Sequence, residues 1–96
     1  MVEVLLAQSA WEDLDSISDY IAQDSIRYAQ EFSNELLNKV QQLESFPDSG
    51  KIIVEFNNPL LRELIYKKYR IVYRYKPEEN KAIVLRIIHG SKLLDM

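Results

Sequence analysis

The stretch "YRIVYRYKPEENKAIVLRIIHG", residues 69–90, decides the architecture. β-Branched and aromatic residues fill its two halves, and "PEEN" interrupts them with residues that suit a turn. This pattern predicts a β-hairpin. A four-residue loop over Pro77–Asn80 pairs Lys76 with Lys81 and thereby sets the register. Val72 then faces Leu85, and Arg70 faces Ile87. One side of the hairpin carries Tyr69, Ile71, Tyr73, Tyr75, Ala82, Val84, Arg86 and Ile88. The other carries Arg70, Val72, Arg74, Ile83, Leu85, Ile87 and His89. The first side, apolar apart from tyrosine hydroxyls and Arg86, is the natural floor for helices. The second sets cations around an apolar strip, a composition that suits a binding surface better than a solvent face. Because side chains alternate with period two, a slip of one residue exchanges the sides.

Upstream, "LLRELIY" (residues 60–66) reads as another strand. A tight turn at Lys67 and Lys68 pairs Ile65 with Arg70 and places Glu63 opposite Val72, on the same side as Arg70. In this register Arg70 and His89 are diagonal neighbours, roughly 7–8 Å apart at Cβ. "KIIVEF" (residues 51–56) is a further candidate strand, and "NNP" ends it. Before it, "FPDSGK" (residues 46–51) stops a helix with Pro47 and Gly50.

Two amphipathic helices precede that stop. Ser9 and Glu12 of "SAWE" fit a capping box, and Trp11, Leu14, Ile17 and Ile21 follow at helical spacing to about Gln23. "QDS" (residues 23–25) caps the second helix, whose stripe is Ile26, Ala29, Phe32, Leu36, Val40 and Leu43. The short connection makes them an antiparallel hairpin. Val2, Val4 and Leu6 alternate as a first strand. The order predicts an α+β fold: an N-terminal strand, then a helical hairpin packed on one face of a mainly antiparallel sheet of about four to five strands. Residues 1–96 suffice for one domain with one core.

Hydrophobic residues make up 47% of the chain and charged residues 28%, the balance of a soluble globular protein. No apolar run reaches the length of a bilayer crossing, and the N-terminus lacks the basic start of a signal peptide, so a cytoplasmic protein without a membrane partner is expected. The absence of cysteine excludes disulfide and thiolate chemistry. A single histidine argues against a zinc site, so neither a metal nor a cofactor is expected. The net charge of −3 conceals an asymmetry: residues 1–50 carry −8 and residues 51–96 carry +5. Two surfaces with different jobs would produce it, and so would helices that collect acidic residues on their wet side. An acidic protein is poorly suited to strong nucleic-acid binding, which depends on neutralising phosphates.

The segments "AWEDLDSISDYIA", "AQEFSNELL", "FPDSGK", "LLRELIYKKYRIVYRY" and "AIVLRIIHGSK", taken in order, resemble the RelE/ParE superfamily of toxins from bacterial type II toxin–antitoxin modules. The resemblance covers nearly the whole chain. Its most specific parts are "LREL…YRIVY" and the strand ending "IIHG", and "DLDSISDYIA" leans towards the ParE branch. It implies a toxin silenced in a hetero-oligomer by a cognate antitoxin, whose extended apolar and acidic segment would seat on Arg70, Val72, Arg74, Ile83, Leu85, Ile87 and His89. Lys92 in the tail is a further contact.

The superfamily divides on mechanism. RelE-like members cleave mRNA on the ribosome, whereas ParE-like members poison DNA gyrase. Cleavage through the ribose 2′-oxygen needs a base, an acid and positive charge on the phosphorane. Arg70, which matches the arginine of the family's "YR" motif, would clamp the phosphate. His89 would serve as acid or base, with Glu63 as its counterpart. Against these roles stand simpler ones: His89 before a glycine as a structural residue, Arg70 paired with an antitoxin carboxylate or with Glu63, Arg62 and Arg86 as paired sheet residues. The tail "GSKLLDM" has Lys92 as its only cation and no tyrosine, a departure from RelE-like enzymes. Seating an acidic domain in the ribosomal A site is also electrostatically unfavourable. The expectation is a non-enzymatic toxin acting on gyrase. A ribosome-dependent mRNA endoribonuclease is the alternative, and a non-toxic orphan binding domain the third possibility.

Overall fold

A computed structural model describes residues 1–91, so Lys92 lies outside the described residues. The elements run β1 (Glu3–Leu6), α1 (Gln8–Ala22), α2 (Ile26–Gln41), β2 (Lys51–Ile52), β3 (Leu61–Tyr66), β4 (Tyr69–Lys76) and β5 (Lys81–His89). The five strands form one sheet in the order β1-β5-β4-β3-β2. β1 is parallel to β5, and the other neighbours are antiparallel. This is the α+β architecture that the element order predicts.

The helices pack on one face. Ala10 and Leu14 of α1, with Phe32, Leu36 and Val40 of α2, meet Leu64, Ile71, Tyr73, Ala82, Val84 and Ile87 from the sheet. Each large side chain withdrawn from water here contributes about 1.5–3 kcal/mol. The inward stripe of α1 runs through Ala10, Leu14, Ile17 and Ile21. Trp11, one step round the helix from Ala10, is 42% exposed, and Ile26 in the first turn of α2 is 69% exposed. Both belong to the apolar stripes by spacing, yet neither is buried.

The two helix starts differ. Ser25 caps α2 as expected, its Oγ accepting the Tyr28 N–H at 3.0 Å. The capping box expected at Ser9 and Glu12 does not form. α1 begins at Gln8, Ala7 occupies the N-cap position, and no side chain caps it. Ser9 Oγ instead donates to the Leu85 carbonyl at 2.6 Å, tying the helix start to β5.

Most of the expected register is present. β3 and β4 pair as the turn at Lys67 and Lys68 dictates, with Ile65 opposite Arg70 and Glu63 opposite Val72. β4 and β5 pair as expected from Lys76 with Lys81 as far as Tyr73 with Val84. A bulge then places the extra residue Leu85 in β5, so Val72 pairs with Arg86, Arg70 with Ile88, and Tyr69 with His89. Beyond the bulge the expected sides of Ile87, Ile88 and His89 are reversed. Ile87 belongs to the helix-facing core, while Ile88 packs with Val72 on the opposite face.

The candidate strand "KIIVEF" also stops early. Only Lys51 and Ile52 pair with β3. From Ile53 the chain crosses the helix-free face. Ile53 is fully buried against Val72, and Phe56, Leu61 and Ile88 pack around them. That face is therefore partly roofed rather than bare.

Tyr73 anchors the "FPDSGK" turn to the sheet. Its hydroxyl donates to the Pro47 carbonyl at 2.8 Å and accepts the Gly50 N–H at 2.9 Å. Glycine is required at position 50 because a Cβ there would stand 2.6 Å from Tyr73 Cε1 and 2.8 Å from the Glu63 carbonyl oxygen. Burial pushes the Tyr73 phenol above its ordinary value of 10.0, an effect the Gly50 N–H partly opposes. A phenol with a raised folded-state pKa stabilises the protein fully below pH 10, and that contribution is lost as pH climbs through the raised value. Tyr73→Phe is expected to cost about 1–3 kcal/mol at neutral pH by stranding the buried Gly50 N–H and the half-buried Pro47 carbonyl. It is also expected to remove part of the alkaline loss of stability, as measured by thermal unfolding across pH 7–11.

Candidate functional site

The residues of interest fall on two opposite faces of the sheet. Glu63 and Arg70 share the helix-free face with Val72, as the β3–β4 register requires. Arg70 is not solvent-facing: its side chain is 12% exposed, and two carboxylates hold it. Its Nε donates to Glu63 Oε1 at 3.1 Å, and its Nη1 donates to Glu55 Oε2 at 3.0 Å. Its Nη2 donates both to Glu63 Oε2 and, at 3.2 Å, to Glu55 Oε1. The Glu55 hydrogen bonds, followed by those of Glu63, raise the guanidinium pKa further. The cluster of one arginine and two glutamates carries net negative charge, and a phosphate would have to displace carboxylates that are already bidentate.

Glu55 shows no signal in the sequence. It lies 15 residues from Arg70 and between two strands, and the crossing of Ile53–Leu61 over the sheet is what delivers it. The same crossing makes Val72 inaccessible.

His89 stands on the other side. Its ring meets the Tyr69 ring edge-on, with centroids 5.8 Å apart, and Tyr69 in turn packs edge-on against Phe32 of α2. Together with Asp13, Ser16, Ile17 and Arg86, these two rings line a depression of about 210 Å³ between α1 and the end of β5. His89 Nδ1 accepts the Ser91 N–H at 3.2 Å and lies 2.7 Å from the Ser91 hydroxyl. The neutral ring therefore carries its proton on Nε2. The diagonal contact expected between Arg70 and His89 does not exist, because the bulge puts the sheet between them.

The bulge is held by α1. Asp13 accepts from Arg86 Nε at 2.7 Å and from Arg86 Nη2 at 3.1 Å. It also accepts the Ile87 backbone N–H at 2.8 Å, a donor that the bulge frees from the ladder. Arg86 is thus a paired sheet residue, as one reading expects, and its partner raises its pKa. Arg62 is likewise engaged: Nε donates to the Pro59 carbonyl, and Nη1 donates to the Asp48 and Gly50 carbonyls.

Of the remaining residues expected to meet a partner, Arg74 is exposed, and Ile83 and Leu85 are partly exposed. The registers align Leu5, Ile83, Arg74 and Leu61 in one row across the helix-free face. Ile87 is 2% exposed beneath the helices and cannot join that row. Among the described residues, no group of three or more histidine, cysteine, aspartate or glutamate side chains is placed to hold a metal ion. No helix among them is long and apolar enough to cross a membrane.

With this geometry in view, comparison with known proteins is decisive. The model of the family "ParE toxin of type II toxin-antitoxin system, parDE" matches residues 4–94. The chain belongs to the ParE toxin family. It sits on the ParE branch of the RelE/ParE superfamily. Among solved structures, a chain of the chromosomal ParDE toxin–antitoxin system from P. aeruginosa is similar, with a TM-score of 0.76, 21% identity, and coverage of 93% of this chain and 96% of that one. A metal-bound toxin from Helicobacter pylori gives a TM-score of 0.67 at 20% identity, covering 98% and 100%. A chain of the RelBE2 toxin–antitoxin complex from Mycobacterium tuberculosis gives 0.56 at 19% identity, covering 95% and 93%. No curated protein sequence matches. These structural likenesses concern the fold. It is the family match that makes this chain a ParE-type toxin.

The Asp13 clamp predicts a graded response in this ParE-family protein. Asp13→Ala is expected to destabilise by about 1–3 kcal/mol, since it strands the Ile87 N–H and the Arg86 guanidinium. Asp13→Asn keeps an acceptor and is expected to lose less. Denaturant unfolding of both variants checks the order, and equal losses would mean that the Ile87 bond contributes nothing.

Proposed function

We propose that this ParE-family toxin arrests growth by binding DNA gyrase, without acting as a nuclease, and that a cognate antitoxin silences it in a hetero-oligomer. The separation of Arg70 from His89 carries this reading. A phosphate clamp and a proton donor must reach the same phosphodiester, within hydrogen-bond distance of its oxygens. Here the sheet lies between them. Arg70 is held by Glu55 and Glu63, and His89 faces α1 with its Nδ1 directed to Ser91. The net charge of −3 further disfavours a role on ribosomal RNA.

The antitoxin reading is supported by the family match and by the row of Leu5, Ile83 and Arg74, an accessible apolar strip beside a cation on the helix-free face. An extended apolar and acidic segment complements it. Glu55 on Arg70 already shows how this surface holds a carboxylate.

Expression of the chain alone is expected to stop growth, induce the SOS response and inhibit gyrase supercoiling while ribosome-bound mRNA stays intact. Co-expression of the antitoxin encoded beside it is expected to restore growth. His89→Ala is expected to leave toxicity within about twofold, because the ring donates nothing to a reacting centre. Cleavage of ribosome-bound mRNA that disappears in Arg70→Ala and His89→Ala variants with intact folds would favour the endoribonuclease instead. Soluble expression without growth arrest would favour an orphan binding domain.

A further inference from the structure

The outer side of β3 is only half used. β2 contributes two residues, Lys51 opposite Glu63 and Ile52 opposite Arg62, and the pairing ends there. Leu64, Ile65 and Tyr66 continue β3 for half its length with no strand outside them among the described residues. The alternation of an antiparallel ladder determines which groups point outward. Tyr66 and Tyr69 flank the two-residue turn and bond to each other, so Leu64 also bonds towards β4, and the Ile65 amide and carbonyl point away from it. The Glu63 carbonyl, two residues earlier, confirms this phase by lying beside Gly50.

The edge is open for a physical reason. Extending β2 backwards in register would set Ser49 opposite Ile65. Tyr73 prevents that by drawing Pro47 and Gly50 inward through its hydroxyl, and the Ser49 N–H turns back to the Phe46 carbonyl at 3.1 Å. A depression of about 370 Å³ is left beside the edge, lined by Lys39, Gln42, Lys51, Leu64, Ile65 and Glu63, whose carboxylate is taken up by Arg70. Ile65 is 44% exposed there. Neither Lys39 nor Lys51 has an ion-pair partner among the described residues.

We infer that the outer side of β3 beyond Glu63 is a strand-addition site for an extended segment of a partner protein that alternates acidic and apolar side chains. Backbone pairing with Ile65 would give affinity, the exposed Ile65 side chain would receive an apolar one, and the two lysines would select the acidic ones. The lysines also decide against a second copy of this chain, whose identical edge would bring lysine against lysine. The inference goes beyond the gyrase reading and requires only that the chain meets another protein.

Amide hydrogen exchange on the intact chain, followed by NMR, tests it. In the free protein the Ile65 amide is expected to exchange about a hundredfold faster than those of Leu64 and Tyr66. A capped Glu-Val-Glu-Val-Glu-Val peptide is expected to slow Ile65 exchange about tenfold or more, and the Lys-Val counterpart to have no effect. Lys39→Glu combined with Lys51→Glu is expected to weaken the acidic peptide about tenfold at unchanged Tm. Protection of Ile65 in the free monomer, equal effects of the two peptides, or no effect of the acidic one would overturn the site. Protection that rises with protein concentration alone would assign the edge to a second copy and equally overturn it. Because the peptide comparison uses the unaltered protein, it holds even if the double variant fails to fold. Growth arrest is not a readout here, so the gyrase reading can fail or succeed separately.

Discussion

A single carboxylate sets the phase of the last strand. Asp13 reaches from α1 to the Arg86 guanidinium and to the Ile87 backbone N–H, and so satisfies the donor that a bulge would otherwise strand inside the protein. Without that acceptor, the extra residue at Leu85 would leave a backbone group unpaired at a cost of about 1–3 kcal/mol. Ser9 adds a second tie from the same helix to the Leu85 carbonyl. Ile87, one residue past the bulge, enters the core only because the strand has been advanced by one position. His89 meets Tyr69 for the same reason.

The functional consequence lies in which side chains share a face. Arg70, Glu63 and Glu55 form a closed, net-negative cluster on one side, while His89 lies beside α1 on the other. An uninterrupted strand would have placed Arg70, Glu63 and His89 on one face. The fold is shared with toxin structures at about 20% identity, while in this chain Arg70 and Glu63 share a face that His89 does not. A surface that already holds carboxylates on Arg70 and keeps Leu5, Ile83 and Arg74 accessible is suited to binding protein.

Tyr73 acts on the opposite edge of the sheet. By fixing Pro47 and Gly50 it keeps β2 from starting before Lys51, and so leaves the outer side of β3 open beyond Glu63. Ile53 then covers Val72, and Glu55 arrives at Arg70.

Local pattern was enough to determine much of this protein. The helical spacings located both helices, Ser25 capped the second, and the turns at residues 67–68 and 77–80 set the pairing of β3, β4 and the first half of β5. The order of these elements predicts the α+β fold, and the motifs "LREL…YRIVY" and "IIHG" resemble the family to which the chain belongs. Tertiary structure alone decided the faces of Ile87, Ile88 and His89, because a bulge leaves no mark in an alternating run when its stabilising partner is Asp13, more than 70 residues away. It alone delivered Glu55 to Arg70 and turned Ser9 from a helix cap into a tie to β5. Periodicity reports on neighbours along the chain. A carboxylate that satisfies a donor from a distant strand is a fact of packing, and only the folded protein holds it.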